Sequence, residues 1–144
     1  MASAIEVVIG SALDNLDLIQ ALTDSVTAFM KFDEDSAHWI GMSVRESVTN
    51  AIQHGNKLDV GKKVEVCYKM ELERLMVFVR DQGHGFHVDA IPNPLEGDNL
   101  LKPSGRGIFY MRTFMDEVEF RTLATGGTEV YMVKTIKREA SNQN

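Results

Sequence analysis

Two segments separated by only three residues place the strongest constraint on the fold of this chain. In residues 63–70 every second side chain from Val64 to Met70 is apolar, and a period of two predicts a strand with one buried face. After a short break at 71–73, residues 74–80 enclose an uninterrupted apolar run, which is typical of a central strand. Adjacent strands with an apolar face must be covered by another layer of secondary structure.

Other patterns in the sequence predict helices that could cover the two strands, and further strands for the sheet. A capping box at Ser11 and Asp14 precedes apolar residues at helical spacing up to about residue 31, which predicts a first helix. A second helical pattern runs to about His54 and ends at a Gly-Asn stop signal. The other predicted elements are a strand over 4–10, a glycine turn at 105–107 that opens a short helix, strands over 117–123 and 128–136, and a hairpin turn at 124–127.

This order of elements, β-α-α-β-β-loop-α-β-β, predicts an α/β (α+β) two-layer sandwich. Its sheet is expected to be mixed and mostly antiparallel, with the helices packed on one face. Residues 86–104 are rich in proline and lack periodicity, and a loop of that length is usually a lid or a binding loop. We expect a single domain over 1–138 and a frayed tail over 139–144.

Composition and charge exclude several functional classes. The net charge is −6 and the basic residues are scattered, whereas nucleic-acid binding needs a clustered basic surface. The single cysteine, Cys67, cannot form an internal disulfide, which favours a reducing, cytoplasmic location. The sequence shows neither the pattern of a signal peptide nor the roughly 18 apolar residues of a membrane span.

The second predicted helix carries polar side chains along one edge. At 100° per residue, a core stripe contains Ile40, Val44, Val48, Ala51 and Ile52, and a neighbouring polar stripe contains Ser43, Glu46, Ser47, Asn50 and His54. The amide oxygen of Asn50 is a neutral ligand suited to Mg²⁺, and the Glu46 carboxylate can accept a proton from a hydroxyl group. The alternative is an ordinary solvated face, although Trp39 on the same stripe disfavours full solvation.

A glycine loop, Asp81-Gln82-Gly83-His84-Gly85, follows the central strand. The Asp81 carboxylate can accept a hydrogen bond from an exocyclic amine such as that of adenine, and the glycines allow close approach of the backbone. One alternative is a simple turn at the end of the strand. Another is a metal site built from His84 and His87 with Asp81 or Asp89, but these residues match no defined ligand spacing.

A second glycine pair, in Gly105-Arg106-Gly107, precedes an apolar helix. Backbone N–H groups at the start of such a helix form an anion cradle. The sequence contains no G-x-x-x-x-G-K-[ST] loop and no H-R-D catalytic loop. If the chain handles ATP, it does so by neither of those routes.

The order of these motifs resembles a known family. E46-x-x-x-N50, D81-x-G83-x-G85, a lid, G105-x-G107 and G127-T128 are similar to the boxes of the Bergerat-fold (GHKL) ATP-binding domains of gyrase, histidine kinases, mismatch-repair proteins and large heat-shock chaperones. The stretches ESVTNAIQHGN and GRGIFYMRTFMDEVEF further resemble the single-domain anti-sigma factor serine/threonine kinases of bacteria.

The resemblance implies a role for each matching residue. Glu46 would be the general base, Asn50 would ligate Mg²⁺, and Asp81 would bind the adenine amino group with help from Thr128 through a water. The glycines would shape the nucleotide site: Gly83 and Gly85 at the base, and Gly105 and Gly107 at the phosphates.

Three further residues carry two interpretations each. The resemblance implies that His54 lies near the phosphates, but a helix C-terminal residue that interacts with the helix dipole is an equal alternative. Arg106 and Lys102 are candidate phosphate contacts, or else solvated charges of the lid.

The resemblance implies a cytoplasmic, ATP/ADP-binding and Mg²⁺-dependent protein serine/threonine kinase. It would phosphorylate a serine of an anti-sigma antagonist protein, sequester a sigma factor and form a homodimer, without binding nucleic acid or a membrane. Two alternatives stay open: a non-catalytic ATP-dependent binding switch, and a stand-alone histidine-kinase-type catalytic domain.

Overall fold

The computed structural model describes residues 3–84 and 103–137, and for 103–105 it describes the backbone alone. The predicted tail at 139–144 and most of the predicted lid at 86–104 lie outside those residues. The strands are β1 (Ser3–Gly10), β2 (Lys63–Met70), β3 (Arg74–Arg80), β4 (Glu117–Thr122) and β5 (Thr128–Thr135). The helices are α1 (Leu16–Phe29), α2 (Glu34–Asn50) and α3 (Pro103–Phe114), with a 3₁₀ turn at Leu13–Asn15 and a π turn at Ala51–Gly55.

The sheet has the strand order β1-β2-β3-β5-β4, and every pairing within it is antiparallel rather than mixed. Two helices connect β1 to β2. The chain therefore re-enters the sheet at the edge where β1 ends, and β2 runs antiparallel to β1. One helix between β3 and β4 makes these two strands parallel, but β5 lies between them and pairs with both. The predicted two-layer arrangement is therefore confirmed, and the insertion of β5 removes the parallel pairing.

The core lies between one face of the sheet and the helices. All five residues of the predicted core stripe of α2 and its π turn are buried: Ile40, Val44, Val48, Ala51 and Ile52. The alternating residues of β2 meet them, from Val64 to Met70. Tyr68 is fully buried, and its hydroxyl group shares a 2.7 Å hydrogen bond with the hydroxyl group of Thr23 on α1. Among the described residues, no helix combines the length and the apolar character that a membrane span requires.

The start of α1 differs from the sequence-based prediction. Ser11 does not cap the helix, because the 3₁₀ turn intervenes and α1 begins only at Leu16. The hydroxyl group of Ser11 instead donates a hydrogen bond to the Lys62 carbonyl oxygen, at 2.7 Å. Ser11 is thus buried by contacts far along the chain, which a local capping pattern cannot reveal.

Candidate nucleotide-binding site

Three chain segments meet at the end of β3, where Asp81 lies. Its backbone N–H group donates to the Thr128 carbonyl oxygen at 3.0 Å, which joins the end of β3 to the start of β5. Its side chain is buried, and Oδ1 accepts hydrogen bonds from the backbone N–H groups of Gly83, at 2.9 Å, and Thr128, at 3.1 Å. One carboxylate oxygen is therefore satisfied by the protein, while Oδ2 remains for another donor.

Glycines surround this carboxylate so closely that no side chain would fit. A Cβ atom at Gly55 would overlap Oδ2 of Asp81, and one at Gly83 would overlap the Gly55 carbonyl oxygen. A Cβ atom at Gly127 would overlap the Asp81 carbonyl oxygen. Backbone segments therefore pack closely around Asp81 at Gly55, Gly83 and Gly127. The approach of the Gly83 and Gly85 backbone to a base stays a prediction.

Asn56 fastens these segments together, and the sequence-based prediction missed its role. It is buried, and its Nδ2 donates to Oγ of Ser11 at 2.8 Å and to the Lys63 carbonyl oxygen at 3.0 Å. Its Oδ1 accepts from the backbone N–H of Gln82 at 2.7 Å. The sequence-based prediction interpreted Gly55-Asn56 only as a helix stop signal. The asparagine directly after the glycine was the one feature of the sequence that could have indicated a structural role.

The main α-helical hydrogen bonding of α2 ends at Asn50, and the next five residues form the π turn. The backbone N–H of Asn56 donates to the Ala51 carbonyl oxygen, five residues back, at 2.7 Å. Single π turns within helices are rare and are frequent at functional sites. This one widens the helix end and carries Gly55 to the Asp81 carboxylate.

Glu46 and Asn50 lie one turn apart on the edge of α2, as predicted. Burial raises the pKa of the Glu46 carboxyl group above its usual range, and a hydrogen bond from the Asn50 carboxamide opposes part of that rise. A carboxylate accepts hydrogen bonds, so Asn50 must donate through Nδ2. Its amide oxygen is then free to bind a cation.

Helix α3 packs against the Glu46 carboxyl group on α2. A Cβ atom at Gly107 would overlap the Glu46 carboxyl group, so this glycine lets the two helices approach at the carboxyl group. The prediction that a glycine turn precedes the helix is wrong, because α3 begins at Pro103. Proline suits the first helical position, and the backbone N–H groups of the next two residues, Ser104 and Gly105, then lie in the first turn without an intrahelical acceptor.

The remaining predicted site residues are distributed unevenly. Thr128 is buried beside Asp81, whereas Arg106, His84 and His54 are exposed. Gly85, Lys102, His87 and Asp89 lie outside the described residues. In the described parts of the chain, no three His, Cys, Asp or Glu side chains are grouped as metal ligands.

The polar stripe of α2 is narrower than predicted, because two of its serines face inward. Ser43 and Ser47 are fully buried. The Ser47 hydroxyl group points at the sulfur atoms of Met111 and Met132, at 3.6 Å each. The stripe that reaches the site is therefore limited to Glu46 and Asn50, with His54 beyond them.

Comparison with known proteins agrees with this geometry. The sequence profile of the histidine kinase-like ATPase domain matches residues 10–134, from the end of β1 into β5. The chain belongs to this family. It shares the family's ATP-binding fold, so the predicted Bergerat (GHKL) architecture is confirmed.

Among curated proteins, similar relatives are serine-protein kinases of one kind. The serine-protein kinase RsbW of Bacillus licheniformis is 30% identical over 85% of this chain and 79% of its own length. RsbW of Bacillus subtilis is 28% identical over 96% of this chain and 89% of its own length. With these relatives, the chain falls in the serine-protein kinase branch of the histidine kinase-like ATPase family.

Solved structures support the same fold. The RsbU and RsbW domains of a Mycobacterium tuberculosis protein superpose with a TM-score of 0.70, at 16% identity, over 96% of this chain and 34% of that one. The blue-light activated histidine kinase of Erythrobacter litoralis gives a TM-score of 0.57 at 26% identity, over 76% of this chain and 33% of that one. This chain therefore spans about a third of either protein.

Proposed function

We propose that this protein is an ATP-dependent protein serine/threonine kinase that acts on a serine of an antagonist protein and also binds a sigma factor. The observation that carries the proposal is the partly buried Glu46 carboxyl group, held by Asn50 and closed in by Gly107. A carboxylate whose pKa is raised by burial is a better proton acceptor than an exposed one. The relatives named serine-protein kinases support the same chemistry.

The residues around Asp81 would select the nucleotide. Oδ1 of Asp81 is satisfied by two backbone N–H groups, so the side chain is fixed in one orientation. Oδ2 can then accept a hydrogen bond from the exocyclic amine of adenine, which guanine lacks at the equivalent position. The fit is supported by the three glycines, because their missing side chains let the neighbouring backbone segments pack closely around Asp81 and fix its position.

The edge of α2 would carry the transfer chemistry. When bound here, ATP would supply the phosphoryl group and Mg²⁺ would neutralise charge on its phosphates. The amide oxygen of Asn50 is the group on this edge that fits a hard cation, because its Nδ2 is engaged by Glu46. Glu46 would accept the proton of the serine hydroxyl group as that oxygen becomes the nucleophile. The free N–H groups at the start of α3 would hold phosphate oxygens.

The partners follow from the resemblance and from the relatives. We infer that the phosphorylated protein is an anti-sigma antagonist, that the second partner is a sigma factor, and that the kinase works in the cytoplasm as a homodimer.

A phosphotransfer assay with labelled ATP tests the proposal against both alternatives. The purified protein is incubated with ATP, Mg²⁺ and the candidate antagonist, and the product is analysed for phosphoamino acids. Acid-stable phosphoserine supports the kinase, whereas acid-labile phosphohistidine supports a histidine-kinase-type domain. ATP binding without any transfer to the antagonist supports a non-catalytic switch and contradicts the proposal.

Two variants separate the residue roles in that assay. Glu46→Gln should bind ATP as the wild type does and lose transfer by about 10²–10⁴-fold, the usual contribution of a general base. Unchanged transfer in this variant would remove Glu46 as the base. Asn50→Ala should lose the Mg²⁺-dependent part of ATP binding, measured as the difference between titrations with and without Mg²⁺.

A further inference from the structure

Three aromatic side chains form a surface cluster where α2 packs beside α3, and we name it the aromatic platform: Trp39, Tyr110 and Phe114. The rings of Trp39 and Phe114 are stacked, with centroids 3.6 Å apart and an interplanar angle of 8°. Tyr110 lies with its ring centroid 6.4 Å from that of Trp39. Trp39 and Phe114 are half-buried, and Tyr110 is 41% exposed.

The platform lies on the same edge as the proposed base. Trp39 precedes Glu46 by seven residues, which is two helical turns or about 10 Å along α2. On α3, Gly107 touches the Glu46 carboxyl group, and Tyr110 and Phe114 follow it by three and seven residues. A strip of surface therefore runs along the seam of the two helices from the carboxyl group to the stacked rings.

Packing of the two helices does not require these rings on the outside. The inner side of the seam is already filled by Ile40, Ile108 and Met111, which are buried. The stacked pair adds contacts between α2 and α3, but Tyr110 keeps a large part of its ring in solvent. Large exposed aromatic groups next to a reactive centre are typical of protein recognition surfaces.

Polar groups bound the platform at both ends. At the far end, Nζ of Lys134 donates to the Phe114 carbonyl oxygen at 2.8 Å and lies 4.0 Å from Oδ1 of Asp116. At the near end stand Glu46 and the exposed Arg106. An apolar floor with a polar rim is the arrangement in which a few buried aromatic anchors supply most of the binding energy.

We propose that the aromatic platform docks the phosphoacceptor protein, by receiving one of its apolar side chains about 10 Å from the serine that is phosphorylated. The inference rests on the proposed kinase function and names the surface that selects its protein substrate. The serine hydroxyl group must reach Glu46, so the surface of the substrate beside that serine must lie over the α2–α3 seam. The platform is the apolar part of that seam.

Trp39 is the only tryptophan of the chain, so its fluorescence reports on the platform without labelling. The experiment uses the purified protein and the antagonist that it phosphorylates. Adding the antagonist should shift the Trp39 emission, with half-saturation near the KM for the antagonist. Adding ATP and Mg²⁺ without the antagonist should leave the emission unchanged.

Substitutions then separate binding of the antagonist from the phosphotransfer step. Trp39→Ala should raise the KM for the antagonist by about 10–100-fold, as expected for an aromatic anchor, while kcat at saturation and the Kd for ATP stay the same. Trp39→Phe should restore most of the loss, because a ring can still stack on Phe114. Leu18→Ala, which removes a more exposed apolar side chain from α1, is the control and should leave the KM unchanged.

Several outcomes would overturn the docking role. An unchanged KM in Trp39→Ala would do so, and a reduced kcat at unchanged KM would show that the rings merely support the position of Glu46. An emission shift with ATP alone, together with weaker ATP binding in Trp39→Ala, would assign the platform to another segment of this chain. If Trp39→Ala fails to fold, Tyr110→Ala serves in its place, since Tyr110 is 41% exposed and less of it packs against the two helices. Absence of any transfer by the wild type would instead contradict the kinase function itself.

Discussion

At the scale of single residues, Asp81 shows how a position predicted from a motif acquires a defined chemical role. The sequence indicated a carboxylate at the end of a strand. It could not show that Oδ1 is held by Gly83 and Thr128 while Oδ2 faces the backbone of Gly55. The Gly83 contact is local, but Gly55 stands 26 positions before Asp81 and Thr128 stands 47 positions after it, and no local pattern encodes those two contacts.

Asp81→Asn tests whether Oδ1 holds the protein backbone while Oδ2 accepts the hydrogen bond from adenine. The asparagine Oδ1 can still accept both backbone N–H bonds, so the fold should be retained. The amide nitrogen would replace Oδ2 and present donors to the adenine amine, where an acceptor is needed. The loss of one hydrogen bond to a charged group, about 1.5–3 kcal/mol, predicts ATP binding weakened by about 10–150-fold. Isothermal titration measures the Kd, and a wild-type value would contradict the assignment.

Glu46 leads to a prediction about pH. Because burial raises the pKa of its carboxyl group, the acidic limb of kcat against pH should lie above the range of an ordinary glutamate. A raised folded-state pKa also means that the stability contributed by this group is present below the unfolded pKa and is lost as pH rises through the folded pKa. Glu46→Gln should therefore be more stable than the wild type near pH 8 and equal to it near pH 4.

Urea denaturation at both pH values measures this difference in the free energy of unfolding. The neighbouring Arg45→Gln variant is a control, because it removes an exposed charge from the same helix turn. A stability difference for Glu46→Gln that does not change with pH would show that the carboxyl group is not desolvated.

At the scale of elements, the sequence predicted every strand and α-helix of the described chain but misplaced three boundaries: the start of α1, the end of α2 and the start of α3. The core stripe of α2 was predicted correctly since apolar side chains at helical spacing face the sheet wherever the helix lies. The start of α3 was wrong because glycines were taken to open the helix. The helix instead begins with proline at its first position, Pro103, ahead of both glycines.

The end of α2 also escaped prediction, since a π turn has no sequence signature that separates it from a helix stop. The turn depends on Asn56, whose carboxamide binds the ends of β1, β2 and β3 through Ser11, Lys63 and Gln82. These partners stand at sequence distances of 45, 7 and 26 residues. Only the assembled sheet brings them to one asparagine.

Asn56→Ala should destabilise the protein by about 2–4 kcal/mol, because three hydrogen bonds are lost and buried polar groups are left without partners. Asn15→Ala is the matched control: its Nδ2 makes one hydrogen bond, to the Gly10 carbonyl oxygen at 2.9 Å, so its loss should cost about 1 kcal/mol. Urea denaturation measures both. Equal effects of the two variants would show that Asn56 does not join the segments around Asp81.

At the scale of the whole molecule, the sheet topology follows from the order of elements once β5 is allowed to enter between β3 and β4. The sequence predicted the hairpin of β4 and β5, whose turn contains Gly126 with φ of 102°. It could not decide which of its strands pairs with β3. That choice brings Gly127 and Thr128 to the Asp81 carboxylate, so the topology of the sheet also completes the nucleotide site.

Nucleotide binding should therefore stabilise the whole molecule and not a single loop. The site joins β3, β5, the π turn and the segment after Asn56, so a ligand there opposes global unfolding. At an ATP concentration of about 100 times the Kd, mass action adds about 2.7 kcal/mol. For a chain of this size that corresponds to a rise in melting temperature of about 5–10 °C.

The variants make this prediction specific to the site. Thermal unfolding followed by circular dichroism should show the full rise for the wild type and for Glu46→Gln, because the base does not contact adenine. Asp81→Asn should show a much smaller rise at the same ATP concentration, and GTP should give little with any of the three proteins. If ATP raised the melting temperature of Asp81→Asn as much as that of the wild type, the nucleotide would have to bind elsewhere. A carboxylate that holds the base cannot be replaced without reducing the stabilisation that ATP provides.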